Sequence, residues 1–451
     1  MNKRLIIVAA GLLLAAGLVW SAPAEPRLLL KNGHIIPVTG PDFEGDVLVV
    51  GTKIAGLGPG LAADPGTEVI DLKGRYVMPG IIDSHSHIAL EGSVNEMGDL
   101  LTPEVDCRDI LDPEDINIYY ALTGGVTTIH TMHGSANPIG GAGIVLKLKW
   151  GAPAEEMIFQ GAPRTSKWAL GENPKQSNGF SFGKPRYGRT RMGVEEAIRA
   201  EFEAAKDYRK QWEAYDRKVK AAQGKAGAVL PLPPRKDFRL EAVADILRGK
   251  LWVRCHAYQA EEMASIMKMC REYGVKLVCF EHGLEGYRIT NELAAYKVAV
   301  STFADFWGYK WEAYQTMPQS AALMLRRGVL VALNSDDPER MRRLFLDAAK
   351  TVRFGGLTEN EALRTITINP AVILGVDKVT GSLEAGKDAD IAVFSRHPLD
   401  PYTVCQMTIV DGKVYFDRAK YLEDRAEAEE AAKKEAEEAA KPKDKKGPER
   451  G

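Results

Sequence analysis

Cysteine is scarce in this chain of 451 residues, with five in all: Cys107, Cys255, Cys270, Cys279 and Cys405. Their spacings match no zinc-binding motif, and an odd number leaves at least one unpaired. They read as small buried apolar residues rather than as a disulfide frame. An excess of one charge sign is also missing. Lys and Arg number 59 against 61 Asp and Glu, a formal charge of −2, which argues against a nucleic-acid binder and against a protein drawn to anionic membranes. No redox-cofactor motif is present. Histidine is rare too, with eight residues, so the places where they gather carry weight.

The longest apolar run, Leu5 to Trp20, is short for a membrane span of about 20 residues. Lys3-Arg4 precede it and Ser21-Ala22-Pro23-Ala24 follow it. A basic start, a short apolar stretch and an A-x-A site make a secretory signal peptide with cleavage after Ala24. No cysteine follows the run, which argues against a lipoprotein anchor. The expectation is an exported chain, periplasmic or secreted, with no stable membrane anchor.

Short strands and turns fill residues 27–70, with Asn32-Gly33 as a hairpin signal, and the same texture returns in "GKDADIAVFS" and "CQMTIVDGKVYF", where Asp411-Gly412 is another. Between them, short apolar strands alternate with amphipathic helices. The strands are "IIDSHSHI", "VTTIHTM", "IVLKLKW", "TSKWALG", "LWVRCHAY", "KLVCFEHG", "KVAVSTFA" and "VLVALNSD". This pattern predicts an α/β chain in which a TIM (β/α)8 barrel is inserted into a small β-sandwich formed by both ends. The expected divisions are 1–24 signal peptide, 25–79 first part of the sandwich, 80–375 barrel, 376–418 second part of the sandwich, and 419–451 a charged Ala/Glu/Lys-rich tail. Ile198, Phe202, Ala205, Tyr208, Trp212 and Tyr215 form an apolar stripe along one long helix, read as packing. Glu429 with Lys433 and Glu430 with Lys434 are helical i,i+4 pairs, so the tail is expected to be solvated helix before Pro442.

Barrel chemistry gathers at the C-terminal ends of the strands. Those ends carry His85 and His87 on the first strand, Lys167 on the fourth, His256 on the fifth, His282 on the sixth and Asp336 on the eighth. In "PGIIDSHSHI" the period of two puts Asp83, His85 and His87 on one face. One histidine alone would read as core; four converging on one rim point to a metal site. Imidazoles with a carboxylate suit zinc, iron, nickel or manganese, and such an ion makes water nucleophilic at neutral pH. Asp336 is placed to accept that water's proton and pass it to a leaving group. Asp83, one step deeper, is expected to support the metal-binding rings from behind. In "HTMHGSANPIGGAG", His130, His133 and Asn137 are expected in a loop over the site, with His133 and Asn137 as substrate contacts and the glycines making turns. In "KPRYGRTRMG", Arg186, Arg189 and Arg191 could clamp a carboxylate, with Arg191 the favoured substrate contact. Arg254 shares parity with His256 and points into the barrel, with no partner apparent.

These motifs together resemble the amidohydrolase superfamily, close to its imidazolonepropionase-related and prolidase-like members. "PGIIDSHSHI" resembles the first-strand His-x-His motif; "CHAY", "EHG" and "VALNSDDP" resemble the fifth-, sixth- and eighth-strand motifs; "ITINPAVILGVDKVTGSLEAGKDADIAVF" resembles the exit from barrel to sandwich. The resemblance spans residues 27–417. It implies a hydrolase of carbon–nitrogen bonds acting on a small-molecule substrate, with one or two divalent ions, zinc foremost, and leaves homo-oligomer formation open. By resemblance, His85 and His87 hold the more buried ion, and His256 and His282 hold a second or position water. A strand-four lysine, carboxylated by carbon dioxide, bridges two ions in many members. Lys167 is the best candidate, with Lys147 and Lys149 weaker, and the alternative is a Lys167 turned outward to pair with Glu172. Relatives with one ion and no such lysine make a deaminase of a cyclic amidine the second reading, and a non-catalytic scaffold the third. The export reading is tested by mass spectrometry of the protein expressed with its own N-terminus. A mature chain starting near Glu25 outside the cytoplasm is expected, and an intact Met1 start held in the membrane fraction would overturn it.

Overall fold

The computed structural model describes residues 25–177, 186–225 and 228–440; the expected signal peptide and the last residues of the tail lie outside these. The chain opens with β1 (Arg27–Ile35), β2 (Phe43–Val50), β3 (Lys53–Gly58), β4 (Glu68–Asp71) and β5 (Tyr76–Pro79). Eight central strands follow: β6 (Ile81–Ser86), β7 (Val126–Thr131), β8 (Ile139–Lys147), β9 (Thr165–Ala169), β10 (Trp252–Ala257), β11 (Leu277–His282), β12 (Ala299–Thr302) and β13 (Val331–Leu333). The last three are β14 (Ile391–Phe394), β15 (Cys405–Val410) and β16 (Lys413–Asp417). Strands from both ends form one sheet in the order β16-β15-β14-β5-β1-β2-β3, with β4 on β1. Leu30, Val47, Ile54, Val77, Ile391 and Ile409 share its buried core, so the sheet curls around residues from both ends.

Asn32 does turn left-handed, at φ 58°, but inside β1, where the ladder with β2 shifts between Leu30 and Gly33. The hairpin expected there is a bulge. Its backbone N–H is taken by Asp46 Oδ1 at 2.9 Å. Asp411-Gly412 is a true hairpin turn between β15 and β16, both residues having positive φ. All five cysteines are free and buried.

The central strands form a second sheet in the order β6 to β13. Neighbours run parallel except at β8, which is antiparallel to both β7 and β9. The expected all-parallel barrel is therefore corrected at its third strand. Glycine explains why β8 begins at Ile139, earlier than its apolar run shows. Gly140, Gly141 and Gly143 are not turn residues but flat strand positions pressed on neighbours: a Cβ on Gly140 would lie 2.8 Å from His133 Nδ1, and one on Gly141 2.5 Å from Val105. The reversed direction carries Lys147 to the opposite rim from the strand-end histidines, beside Thr128.

No ladder joins β6 to β13 among the described residues. The segment around Thr365 and Ile366 closes this seam instead: Ile82 N–H donates to Ile366 O and Leu333 N–H to Thr365 O, each at 2.9 Å. Asn369 Nδ2 adds a bond to Val331 O at 2.9 Å. The "TITINP" stretch thus both completes the barrel and leads into the second sheet.

The long helix Arg191–Ala222 buries Ile198, Phe202, Ala205 and Tyr208, whereas Trp212 and Tyr215 stay half-exposed. The tail helix Arg418–Ala440 is solvated; Lys434 pairs with Glu430 at 2.7 Å, and Glu429 pairs with Arg425 rather than with Lys433.

Lys147 and Lys149 are thus not site residues. Lys147 Nζ sits among Asp388 Oδ2 at 2.5 Å, Asp390 Oδ2 at 3.1 Å and Asp411, and Lys149 meets Asp411 at 2.8 Å. The ammonium fills the space between three carboxylates and pins the barrel to the curled sheet. Removing one partner of a buried ion cluster leaves the others uncompensated. Lys147→Met is expected to cost about 3–5 kcal/mol in urea-induced unfolding; a change below ~1 kcal/mol would show that the clasp contributes little.

Candidate metal centre

Six ionisable side chains from five strands meet at one mouth of the central sheet. His85 Nε2 lies 3.1 Å from Lys167 Nζ and 3.4 Å from Asp336 Oδ1. His87 Nε2 is 3.2 Å from the same oxygen, and His282 Nε2 is 3.8 Å from Asp336 Oδ2. His256 joins ring to ring, its centroid 4.7 Å from that of His282. Donor atoms of His85, His87 and Asp336 all fall within 4.8 Å of one another. Asp336 and His87 keep 28% and 25% of their side chains exposed, so the cluster opens on their side and is sealed elsewhere. Lys167 is fully buried and leans inward, donating also to His133 O at 3.3 Å; it does not turn outward.

Regular strands alone would not assemble this group. Alternation brings Glu281 to the barrel interior, which should send His282 the other way. His282 instead has φ 71°, and Asp336, past the end of β13, has φ 49°. These left-handed conformations, uncommon for residues with a Cβ, swing both side chains into the mouth. Asp336 N–H also donates to His85 O at 3.3 Å. Asp83 acts here, though not behind the rings. It accepts from His85 N–H at 3.1 Å and from the Ser335 N–H and hydroxyl, so it ties the end of β6 to the residue before Asp336. Burial pushes the Asp83 carboxyl up to about 7.

The segment after β7 braces the rings rather than lying open over them. His87 Nδ1 meets Met132 O at 2.8 Å, Lys167 takes His133 O, and Ser135 Oγ meets His256 Nδ1 at 2.9 Å. His133 is engaged by the chain at both ring nitrogens: Nε2 accepts from Glu96 N–H at 2.9 Å, and Nδ1 faces Gly134 O at 2.9 Å. Its ring anchors the brace. His130 lies within β7, fully buried, with Nε2 at 2.8 Å from Thr165 Oγ1. Asn137 Nδ2 holds Asp99 O and Leu100 O. Arg186 donates to Asp99 O and Ala136 O. Arg191 donates to Glu262 Oε1 at 2.8 Å and to Gln259 Oε1 at 2.7 Å. Arg189 is exposed. Of these expected substrate contacts, His133, Asn137 and Arg191 are therefore already committed to the protein. Glu281, Ser135 and the Met132 carbonyl are the participants that motif spacing does not reveal, although "EHG" holds Glu281 in plain sight.

Burial pushes the His85 imidazole down to about 4, with Lys167 adding to it, and drives His256 and His282 well below the usual histidine value. Burial also lowers Lys167. Burial would raise Asp336, but the facing His85, His87 and His282 hold it well below the carboxylate range. Neutral imidazoles and an ionised carboxylate are the forms that bind metals. The donor set also leaves its own mark: His256 Nε2 and both nitrogens of His282 are buried with no hydrogen-bond partner. An unsatisfied buried polar atom costs about 1–3 kcal/mol, and coordination to a cation removes that cost. The residues present fit a divalent ion.

A model of the amidohydrolase family matches residues 313–415. The chain is 36% identical to an amidohydrolase of known structure from Thermotoga maritima MSB8, covering 87% of this chain and 100% of that one, with a TM-score of 0.78. It is 30% identical over 399 residues to the amidohydrolase tasK of Hapsidospora irregularis, covering 83% of this chain and 40% of that protein. It thus spans less than half the length of that relative. A 5-methylthioadenosine/S-adenosylhomocysteine deaminase of Symbiobacterium thermophilum is 24% identical, over 87% of this chain and 94% of that protein.

Proposed function

Because the chain belongs to the amidohydrolase family, we propose that it is an exported, metal-dependent hydrolase of carbon–nitrogen bonds in small molecules: amides, N-acyl amino acids, dipeptides or cyclic amides. The observation that carries this reading is the meeting of His85, His87 and Asp336 donors within 4.8 Å, beside the unpartnered nitrogens of His256 and His282. A divalent ion held by such imidazole and carboxylate donors, zinc foremost, supplies Lewis acidity and acidifies water. His85 and His87, at the end of β6, and His256 and His282, on β10 and β11, would hold it through their ring nitrogens. The Asp336 carboxylate, open to solvent on one side, accepts the proton of the attacking water and delivers it to the leaving nitrogen.

Lys167 belongs to the same reading. An ammonium 3.1 Å from His85 Nε2 is a poor neighbour for divalent ions, since like charges repel at close range. Carboxylation of its Nζ would replace the positive charge with a negative one and add two oxygen donors to the residues that would hold the metal. The likeness to a deaminase over nearly the whole chain favours a second reading, a single-ion deaminase of a cyclic amidine. Release of ammonia, against release of an amine with a new carboxylate, separates the two.

Two variants test the site. Asp336→Asn keeps the size but cannot take up a proton, so turnover falls by about 10²–10⁴-fold while substantial metal stays bound. A near-normal rate would move proton transfer elsewhere, and complete metal loss would make Asp336 a ligand first. Lys167→Ala is expected to lower bound metal from two ions per chain, with partial rescue of activity by a short-chain carboxylate. One ion in the native chain together with a fully active Lys167→Ala would overturn the bridge.

A further inference from the structure

One chain of polar contacts inside the barrel ends on a single histidine. Arg254 Nε donates to Glu281 Oε1 at 2.6 Å, and Glu281 Oε2 lies 3.1 Å from His85 Nδ1. All three side chains are fully buried. Arg254 reaches His85 by a second route as well: its Nη2 donates to Ser84 O at 3.0 Å, the carbonyl one residue before the histidine. The guanidinium therefore grips the ring through Glu281 and the backbone through Ser84.

We propose that Arg254 and Glu281 are positioning residues that fix the tautomer of His85. With Arg254 donating to Oε1, the other carboxylate oxygen faces His85 Nδ1 at 3.1 Å, and neither of these two buried atoms has another partner; a proton on Nδ1 is favoured there by the carboxylate, and the Nε2 lone pair is left facing Lys167 and Asp336. This rests on the reading that His85 holds a metal ion. The other oriented rings have neutral partners, a carbonyl for His87 and a hydroxyl for His256. His85 alone has a carboxylate behind it, and it is the ring that touches both Lys167 and Asp336. A carboxylate behind a ligating imidazole sets its orientation and raises its basicity, and losing such a partner typically costs 10–100-fold in metal affinity. Water is excluded from the chain of contacts, which strengthens each link.

Glu281→Gln is a sharp probe. Its amide oxygen can still accept from Arg254, which turns the NH2 group toward His85 Nδ1 and reverses the hydrogen bond. The ring must then carry its proton on Nε2. The expected result is zinc affinity about 10–100-fold weaker by chelator competition, in a protein whose melting shows it folded. Since that variant leaves Arg254 unbalanced, a second one, Arg254→Met with Glu281→Met, removes both charges and keeps the volume filled. It should show the same loss, whereas a pair that serves only as core packing would leave zinc affinity unchanged. The native metal-free protein gives a direct reading: histidine-selective 15N labelling leaves eight rings to resolve, and the signal lost in His85→Gln should show the Nδ1–H tautomer. An Nε2–H tautomer for His85, or zinc affinity within twofold of native in the folded double variant, would overturn the relay alone. A native chain that takes up no zinc would overturn the metal reading, and the tautomer would still decide the relay.

Discussion

Four imidazoles gathered at one mouth are held there against their solvation, and most of the fold around this mouth serves to hold them. Three rings turn a rear nitrogen to the chain: His87 bonds the Met132 carbonyl, His256 the Ser135 hydroxyl, and His85 Nδ1 faces Glu281 Oε2 at 3.1 Å without a formed hydrogen bond. The front nitrogens then face the mouth: His85 Nε2 toward Lys167, His87 Nε2 toward Asp336, and His256 Nε2 with no partner. His282 is the exception. Neither of its nitrogens has a hydrogen-bond partner, and its ring is positioned by stacking on Phe303, with centroids 4.8 Å apart.

The same constraint explains the seam of the barrel. His85 and Asp336 stand on opposite sides of the gap between β6 and β13, where no ladder forms among the described residues. They meet only because the gap is closed, below by the Thr365–Ile366 backbone and above by Asp83 with Ser335. The strap that closes it runs on into the curled sheet, so that sheet is coupled to the geometry of the site. Lys147 couples the two again from the far rim. A metal centre built across an open seam needs such ties, because a shift of one wall against the other would separate the His and Asp donors.

Much of this was legible in the residues and some was not, for physical reasons. Period two correctly grouped His85 with His87, because both belong to the end of one strand. The strand ends also named Lys167, His256, His282 and Asp336, and all six meet. The direction of β8 was not legible: apolar alternation is the same for a strand read either way, and three glycines disguised its start. Hence Lys147 and Lys149 looked like neighbours of Lys167 when they lie at the other rim. His133, Asn137 and Arg191 looked like substrate contacts because polar side chains on rim loops often are. What these side chains hold is set by which polar groups of the chain lie nearby, backbone for His133 and Asn137 and side-chain oxygens for Arg191, and only the folded chain shows that.

The left-handed backbone at His282 and Asp336 is the deeper reason that pattern reading stops short here. Nothing in "EHG" or "NSDDP" marks a residue for positive φ, and Gly283 follows at φ 47°, so the sharp bend is shared between two positions. Such conformations cost on the order of 1–3 kcal/mol each and persist only where the surroundings over-determine them. Here the surroundings do so. Ser335, next to Asp336, is fixed by Asp83, and His282 is fixed by Phe303 on one face and by His85 and His256 nearby. In return, two adjacent residues of β11 both serve the centre: Glu281, which alternation sends inward, orients His85 from behind, and His282, bent back, faces the mouth. A strand with regular geometry could supply one of those roles but not both. The strain at two positions is thus what lets five short strands deliver six ionisable side chains to a single point.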